Sequence, residues 1–334
     1  MELDYALIWA GLIAFAVLAY VILDGFDLGV GILFPTLNDH DKDSAMNSIA
    51  PIWDGNETWL ILGGGGLFAV FPLAYAVVMP AVYAPIIAML LGLIFRGVAF
   101  EYRYRTKAGR YLWDWSFCGG SLTATFSQGL ILGTLLQGIE VDGRQYAGGW
   151  FDWLSPFTVF CGIAVTFGYT LLGGCWLLVK TSGHLEQMLY ARCKKLTLWF
   201  LGTIGIVSVW LPLMSEPIAQ RWFSFPNSLL FFVIPAVSAW CAYELWHSLN
   251  VQKPLRAYFC TLGLYLMAFA GFAISVFPYL VPREITLWEA AAPDNSLKFL
   301  LAGAVILLPM IIAYTAYSYW VFRGKVSSDE GYHE

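Results

Sequence analysis

The chain has 334 residues, of which 59% are apolar and only 12% charged, with a formal net charge of −5 and a mean hydropathy of +0.67. Ordinary soluble domains carry about 25% charged residues, so this composition excludes a water-soluble enzyme. The acidic balance, with no basic stripe, excludes a nucleic-acid binder. What remains is an all-α, polytopic membrane bundle, read as one integral-membrane domain over residues 1–334 with a short cytoplasmic tail at 323–334. The six cysteines are scattered, form no C-x-x-C pair and fall mostly in apolar runs, where cysteine acts as a small hydrophobe. Met1, Glu2, Leu3 and Asp4 offer no basic region and no cleavage site, so the first apolar run reads as a retained span.

Crossing the hydrocarbon core as helix takes about 20 apolar residues. Nine such stretches follow in chain order: Tyr5–Phe34, Asn56–Ala76, Pro80–Phe100, Trp113–Gln137, Trp153–Val179, Leu196–Met214, Asn227–Trp246, Ala257–Leu280 and Lys298–Phe322. The loops between them are short. Lysine and arginine placement orients them. Thirteen fall after the odd-numbered spans, from Lys42 through Lys107 to Lys325, and four on the other side: Arg144, Arg221, Arg283 and Lys298. The N-terminus is therefore expected outside and the C-terminus in the cytoplasm. The first inner loop, Asp39 to Asp43, is not basic.

The first span is long for a core of about 30 Å, and near its inner end sit Asp24 and Asp27, three residues apart and so on one helix face. An ionised carboxylate at the bilayer centre costs about 2.5–3.5 kcal/mol on insertion scales. The pair either shares a protein or water pocket or marks an interfacial helix end. The second span opens with Asp54 and Glu57, again three apart, between Trp53 and Trp59. A helix start favours negative charge, so capping accounts for Asp54, and less well for Glu57. Arg96 lies at similar depth in the third span and either faces these acids or snorkels to the headgroups. Glu244 reads as snorkelling and Asp114 as an interfacial anchor. Gly63 to Gly66 is no phosphate loop, since no Gly-Lys-Ser/Thr follows; four glycines weaken a helix unless something packs against them.

The four histidines, His40, His184, His247 and His333, fall in loops or the tail, so haem ligation within this bundle is not expected, nor is any other metal site. The residues alone describe a bundle with an acidic group near one face. That is compatible with a proton path, a transporter gate or a partner-docking surface.

Three segments carry a resemblance. Asp24-Gly25-Phe26-Asp27-Leu28-Gly29-Val30-Gly31 resembles the D-G-F-D-[LM]-G-V-G segment of subunit II of cytochrome bd-type quinol oxidases. Asn47 to Leu60, which contains Trp53-Asp54-Gly55-Asn56-Glu57, is similar to that family's N-S-I-A-P-x-W-D-G-N-[QE]-x-W-L. Phe95-Arg96-Gly97-Val98-Ala99-Phe100-Glu101-Tyr102-Arg103 is similar to its F-R-x-V-x-F-[DE]-Y-R run. The W-D-G-N-E-T-W form leans toward the cyanide-insensitive branch.

The resemblance implies a multi-pass protein of the bacterial cytoplasmic (inner) membrane, paired with a haem-bearing subunit I that holds haems b558, b595 and d. The complex oxidises quinol and reduces O2 to water in a four-electron reaction. It takes protons from the cytoplasm and separates charge without pumping. This chain would ligate no cofactor itself, with a bound ubiquinone and a small single-helix accessory subunit as further associations. By the same resemblance, Asp54 matches an aspartate of the proton path, Asp24 and Asp27 match the family's first-helix acids, and Trp59 lies near an oxygen access route; Glu57 departs from the family's glutamine, and it is the position of Asp24, Asp27, Asp54 and Glu57 on the cytoplasmic side that puts all four on a proton path, with Arg96 at similar depth as the acids' partner. A structural scaffold and a secondary transporter are the competing readings; the latter usually shows an inverted repeat, and none is detected.

Overall fold

The computed structural model describes residues 3–106 and 108–326. Lys107 and the tail from residue 327 onward, including His333, lie outside them.

Helix α1 (Tyr5–Leu33) starts at Asp4, whose carboxylate accepts from the Leu7 amide, and closes in a 3-10 turn at Phe34–Thr36. The acidic loop that follows is itself a helix, α2 (Asp39–Asn47), capped by Asn38. The stretch expected as one span from Asn56 to Ala76 is two helices, α3 (Trp53–Val70) and α4 (Pro72–Ala81). Pro72 supplies the break, since it has no N–H for the helical ladder and its ring clashes with the preceding turn. The Val70 carbonyl near this break accepts from the Ala292 amide at 2.8 Å. Pro80 consequently sits inside α4, and the third span begins later, as α5 (Tyr83–Arg105).

Helix α6 (Arg110–Gln137) leads to a hairpin of β1 (Val141–Asp142) and β2 (Gln145–Tyr146). Helix α7 (Pro156–Lys180) opens on a capping box between Ser155 and Thr158, with Pro156 preset for the first turn. Helix α8 (His184–Met214) begins three turns before the expected Leu196, so Arg192, Lys194 and Lys195 ride on the helix rather than in a loop. After α9 (Glu216–Phe223), α10 (Asn227–Phe231) and α11 (Val233–Asn250) form the seventh stretch. Helix α12 (Pro254–Val276) stops before Pro278, and residues expected as its end form a second hairpin, β3 (Tyr279–Val281) with β4 (Ile285–Thr286). Short α13 (Leu287–Ala290) and long α14 (Asp294–Val321) complete the described chain. Among the described residues, the regular structure is helical apart from these two hairpins.

Seven of the nine stretches, those of α1, α5, α7, α8, α10–α11, α12 and α14, are long and apolar enough to cross a membrane. The α3 and α6 stretches are not among them: α3 carries Asp54, Asn56 and Glu57 in its first turns, and α6 is rich in Gly, Ser and Thr. Helix α7 is the hub, packed against α1, α6, α8 and α12, and 72% of its apolar window is buried, against none of that of α14. Contact between α1 and α7 is backbone to backbone. A Cβ on Gly29 would stand 1.8 Å from the Tyr169 carbonyl oxygen, and one on Gly173 2.4 Å from the Val30 amide nitrogen. Small residues let helices approach this closely.

One end of the bundle, the hairpin end, is closed by Trp9, whose indole donates to the Leu297 carbonyl, and by a core including Val70, Phe71, Val281 and Leu287. The opposite, charged end is tied by side chains. Asp114 accepts from Lys42 at 2.9 Å and from Arg103 at 2.6 Å, and Asp43 accepts from both Arg103 and Arg110. These bonds lock α2 onto α5 and α6, so Asp114 is the anchor its position suggested. Burial disfavours the Lys42 charge, but the bonds to Asp114 and Asp39 outweigh it and hold its pKa above the usual lysine value. Glu244 pairs with Arg256.

Candidate functional site

The buried half of α1 nearest the charged end presents Asp24 and Asp27, both with no exposed surface. They do not reach water at a helix end; they are enclosed by α3, α5, α7 and α14. Arg96 of α5 is equally buried and donates to Asp24 Oδ1 at 2.6 Å, so it does not snorkel. Its other terminal nitrogen stands 3.9 Å from Glu57 Oε1, and its guanidinium lies over the Trp53 ring at 5.8 Å. Trp53 stacks on Phe100, with centroids 4.6 Å apart. The tryptophan is thus a wall of the site rather than an interfacial belt.

Asp27 is reached from α3. Asn56 Nδ2 donates to Asp27 Oδ2 at 2.7 Å and to the Leu23 carbonyl at 3.2 Å. The Tyr319 hydroxyl of α14 donates to Asn56 Oδ1 at 3.0 Å, completing a Tyr319–Asn56–Asp27 chain. Phe26, between the two aspartates, stacks on Trp176 at 4.3 Å. Asn56 and Tyr319 were not singled out by sequence. Asn56 lay within the W-D-G-N run, whereas nothing distinguishes Tyr319 from the other tyrosines until α14 is seen against α3.

Three carboxyls, Asp24, Asp27 and Glu57, therefore surround one guanidinium. Ionising all three would leave two uncompensated charges in a buried site, where unpaired charge is expensive. The group is chemically suited to taking up and releasing protons. Asp24 Oδ2, Asp27 Oδ1, Glu57 Oε1 and Arg96 Nε and Nη2 are buried and make no hydrogen bond to protein. Buried polar atoms of this kind are commonly satisfied by internal water.

The remaining two residues stand differently. Asp54 is exposed at the start of α3 and forms no part of the Arg96 cluster. Glu57 lies between, its side chain 24% exposed. Trp59 is 2% exposed, meets Phe15 edge-on at 5.6 Å and packs with Ala16 and Tyr20 in an otherwise apolar cluster. Within the glycine run, Gly63 and Gly66 face Val17 and Ile13 of α1, while Gly64 and Gly65 face open space.

Among the described residues no group of three or more His, Cys, Asp or Glu is arranged to hold a metal ion. His40, His184 and His247 are exposed at helix ends or in an end turn, away from the bundle interior.

Similarity to known proteins agrees with the geometry. Cytochrome bd-I ubiquinol oxidase subunit 2 of Escherichia coli (strain K12) is 30% identical, over 97% of this chain and 95% of that protein. Cytochrome bd ubiquinol oxidase subunit 2 of Bacillus subtilis (strain 168) is 29% identical over 97% of both. A chain of the bd oxidase structure from Geobacillus thermodenitrificans shares the fold, with a TM-score of 0.76, 15% identity, and coverage of 96% of this chain and 99% of that one. The family described as cytochrome bd terminal oxidase subunit II matches residues 5–322. With nearly the whole chain covered, from the acids of α1 to the end of α14, this protein belongs to that family, the second subunit of the cytochrome bd quinol oxidases of the respiratory chain.

Proposed function

We propose that this chain is the haem-free subunit of a membrane quinol oxidase and that it brings protons to O2 reduction in a haem-bearing partner. The observation that carries this is the buried set of Asp24, Asp27 and Glu57 around Arg96. Protons do not cross hydrocarbon unaided, and intramembrane carboxylates with water are the usual relay. Asp54, exposed at the mouth, collects protons from solvent. Glu57, half-buried, passes them inward. Asp24 and Asp27 hold them in the interior. Arg96 stays charged throughout, as guanidinium does in proteins, and keeps the carboxyl group oriented. The partner's haems would carry the four electrons from quinol to O2.

The nine helical stretches are read as nine spans, with the N-terminus outside and the charged end in the cytoplasm of a bacterial inner membrane. The lysine and arginine bias supports this orientation, and the charged end then faces the proton source. Trp59 and the apolar residues around it suit the passage of O2, which needs no polar relay. The groove of about 510 Å³ between α5 and α6 is apolar apart from Thr123, Ser127 and the Trp153 indole. By chemistry it suits a lipid chain better than the polar ring of a ubiquinone.

The test replaces Asp24 and Glu57 singly with Asn and Gln in the assembled oxidase. Oxygen consumption is expected to fall about tenfold or more, the scale of a lost proton-transfer group, while the haem spectra stay intact. Full turnover with both variants would leave the chain as a scaffold.

A further inference from the structure

Asn56 of α3 joins α14 to the acid site. Its side chain is buried, and every polar group of its amide is used. Nδ2 donates to Asp27 Oδ2 at 2.7 Å and to the Leu23 carbonyl at 3.2 Å, and Oδ1 accepts from the Tyr319 hydroxyl at 3.0 Å. Leu23 and Asp27 lie about one turn apart on α1, so carbonyl and carboxyl present a common edge to the amide. Helix α14 is otherwise open, with none of its apolar window buried. It nevertheless turns Tyr319 inward, where the ring meets Phe26 and Trp176 edge-on at 6.4 and 6.0 Å.

The Leu23 carbonyl decides which way the amide faces. A backbone carbonyl only accepts, so it takes an amide N–H whether or not Asp27 holds a proton. A reversed amide would set oxygen against oxygen. Asn56 Oδ1 is thereby turned to α14, and the Tyr319 proton is committed to it. The consequence falls on Asp27. Its Oδ2 always receives a donor, whereas Oδ1 is buried and makes no hydrogen bond among the described residues. A proton on Asp27 therefore belongs on Oδ1, with Oδ2 left as the carbonyl oxygen that accepts from Asn56. Neither Asn56 nor Tyr319 hands a proton on. An amide has none to release near neutrality, and the Tyr319 hydroxyl points at an amide oxygen.

We propose that Asn56 and Tyr319 are positioning residues for Asp27: the amide, itself held by the tyrosine, reserves Oδ2 as a permanent acceptor and leaves Oδ1 as the oxygen that takes and releases the proton. This rests on the proton-delivery reading above. The order of effects follows from the order of the bonds. Asn56 touches the carboxyl, and Tyr319 acts through Asn56, because a hydroxyl donating to the amide oxygen strengthens the N–H bonds on the other side of that amide.

The experiment reads the carboxylic-acid C=O stretch of Asp27 by infrared spectroscopy of the assembled oxidase, as the band that Asp27→Asn removes. The haem spectrum is the check on assembly. A C=O that accepts a hydrogen bond absorbs at lower wavenumber than a free one, so in Asn56→Leu the band should move up. In Tyr319→Phe, which keeps the ring and its packing, it should move up by less, and Tyr319→Phe should add nothing to Asn56→Leu. Oxygen consumption should fall in both single variants, further in Asn56→Leu. A band that stays in place while turnover falls is what a merely structural role gives, and it overturns the proposal. So do shifts that add in the double variant, a band that moves with turnover unchanged, and a spectrum from which Asp27→Asn removes no band. If Asn56→Leu does not assemble, Tyr319→Phe decides alone. Turnover in Asp27→Asn tests the underlying reading separately: full turnover there refutes proton delivery through Asp27, whereas lost turnover with an unmoved band in Asn56→Leu and Tyr319→Phe refutes only the positioning role.

Discussion

Arg96 donates to Asp24 across the α1–α5 interface at 2.6 Å, and neither side chain has any exposed surface. A buried pair of this kind contributes little net stability, because desolvation offsets attraction, but removing one partner strands the other. Arg96→Met alone should destabilise the chain by about 3–5 kcal/mol. Adding Asp24→Leu should recover most of that loss. Thermal unfolding of the two variants in detergent checks this; losses that simply add would show that the residues act independently.

The salt links at the charged end divide by burial. Arg103 is 1% exposed and holds both Asp43 and Asp114, so Arg103→Gln should cost about 2–4 kcal/mol and resist salt. Arg105 pairs with Glu101 in the open, and Arg105→Gln should change stability by under about 0.5 kcal/mol. Unfolding midpoints at low and high ionic strength compare them.

Close packing of α1 on α7 makes a second pair of variants informative. Gly29→Ala would drive a methyl into the Tyr169 carbonyl, where backbone cannot give, and should cost about 3 kcal/mol or more. Gly205→Ala, on an open face of α8, should be neutral or stabilising by up to about 1 kcal/mol. Equal behaviour of the two in a thermal melt would contradict the close approach.

At the hairpin end, Asp4 accepts from the Leu7 amide and the Trp288 indole, and Glu289 from the Thr286 amide and hydroxyl. These bonds hold both carboxyls below their usual pKa values. A depressed folded pKa gives stability that is present above the unfolded pKa and lost as pH falls through the folded one. Protection of the amides of residues 284–292, meaning their exchange relative to that of an unstructured chain at the same pH, should therefore stay high near neutrality and fall only below about pH 4. Asp4→Ala should remove part of the pH dependence. Exchange that is already fast at neutral pH would contradict the clamp.

The helical class and the sites of the nine apolar stretches were legible from hydropathy, because a lipid-facing helix must be apolar over a fixed length whatever it packs against. The acids of α1 and α3 were legible as an anomaly for the same reason, since charge in such a run is costly enough to demand a partner. The broken second span was legible only in part: Pro72 was visible in the sequence, yet apolar residues continue past it, and hydropathy does not register a missing N–H.

Tertiary packing decided the rest. Nothing in the spacing of Asp24 and Arg96, 72 residues apart, selects a buried bond over snorkelling; the choice is made by α3, α6 and α7 closing around them and removing the route to water. Packing likewise left Asp54 outside the cluster that its spacing from Glu57 suggested, and it recruited Asn56 and Tyr319, whose neutral polar side chains carry no signature in one dimension. Composition and periodicity determine which segments leave water. Only the mutual approach of helices, governed at Gly29 and Gly173 by the absence of a side chain, determines which polar groups meet.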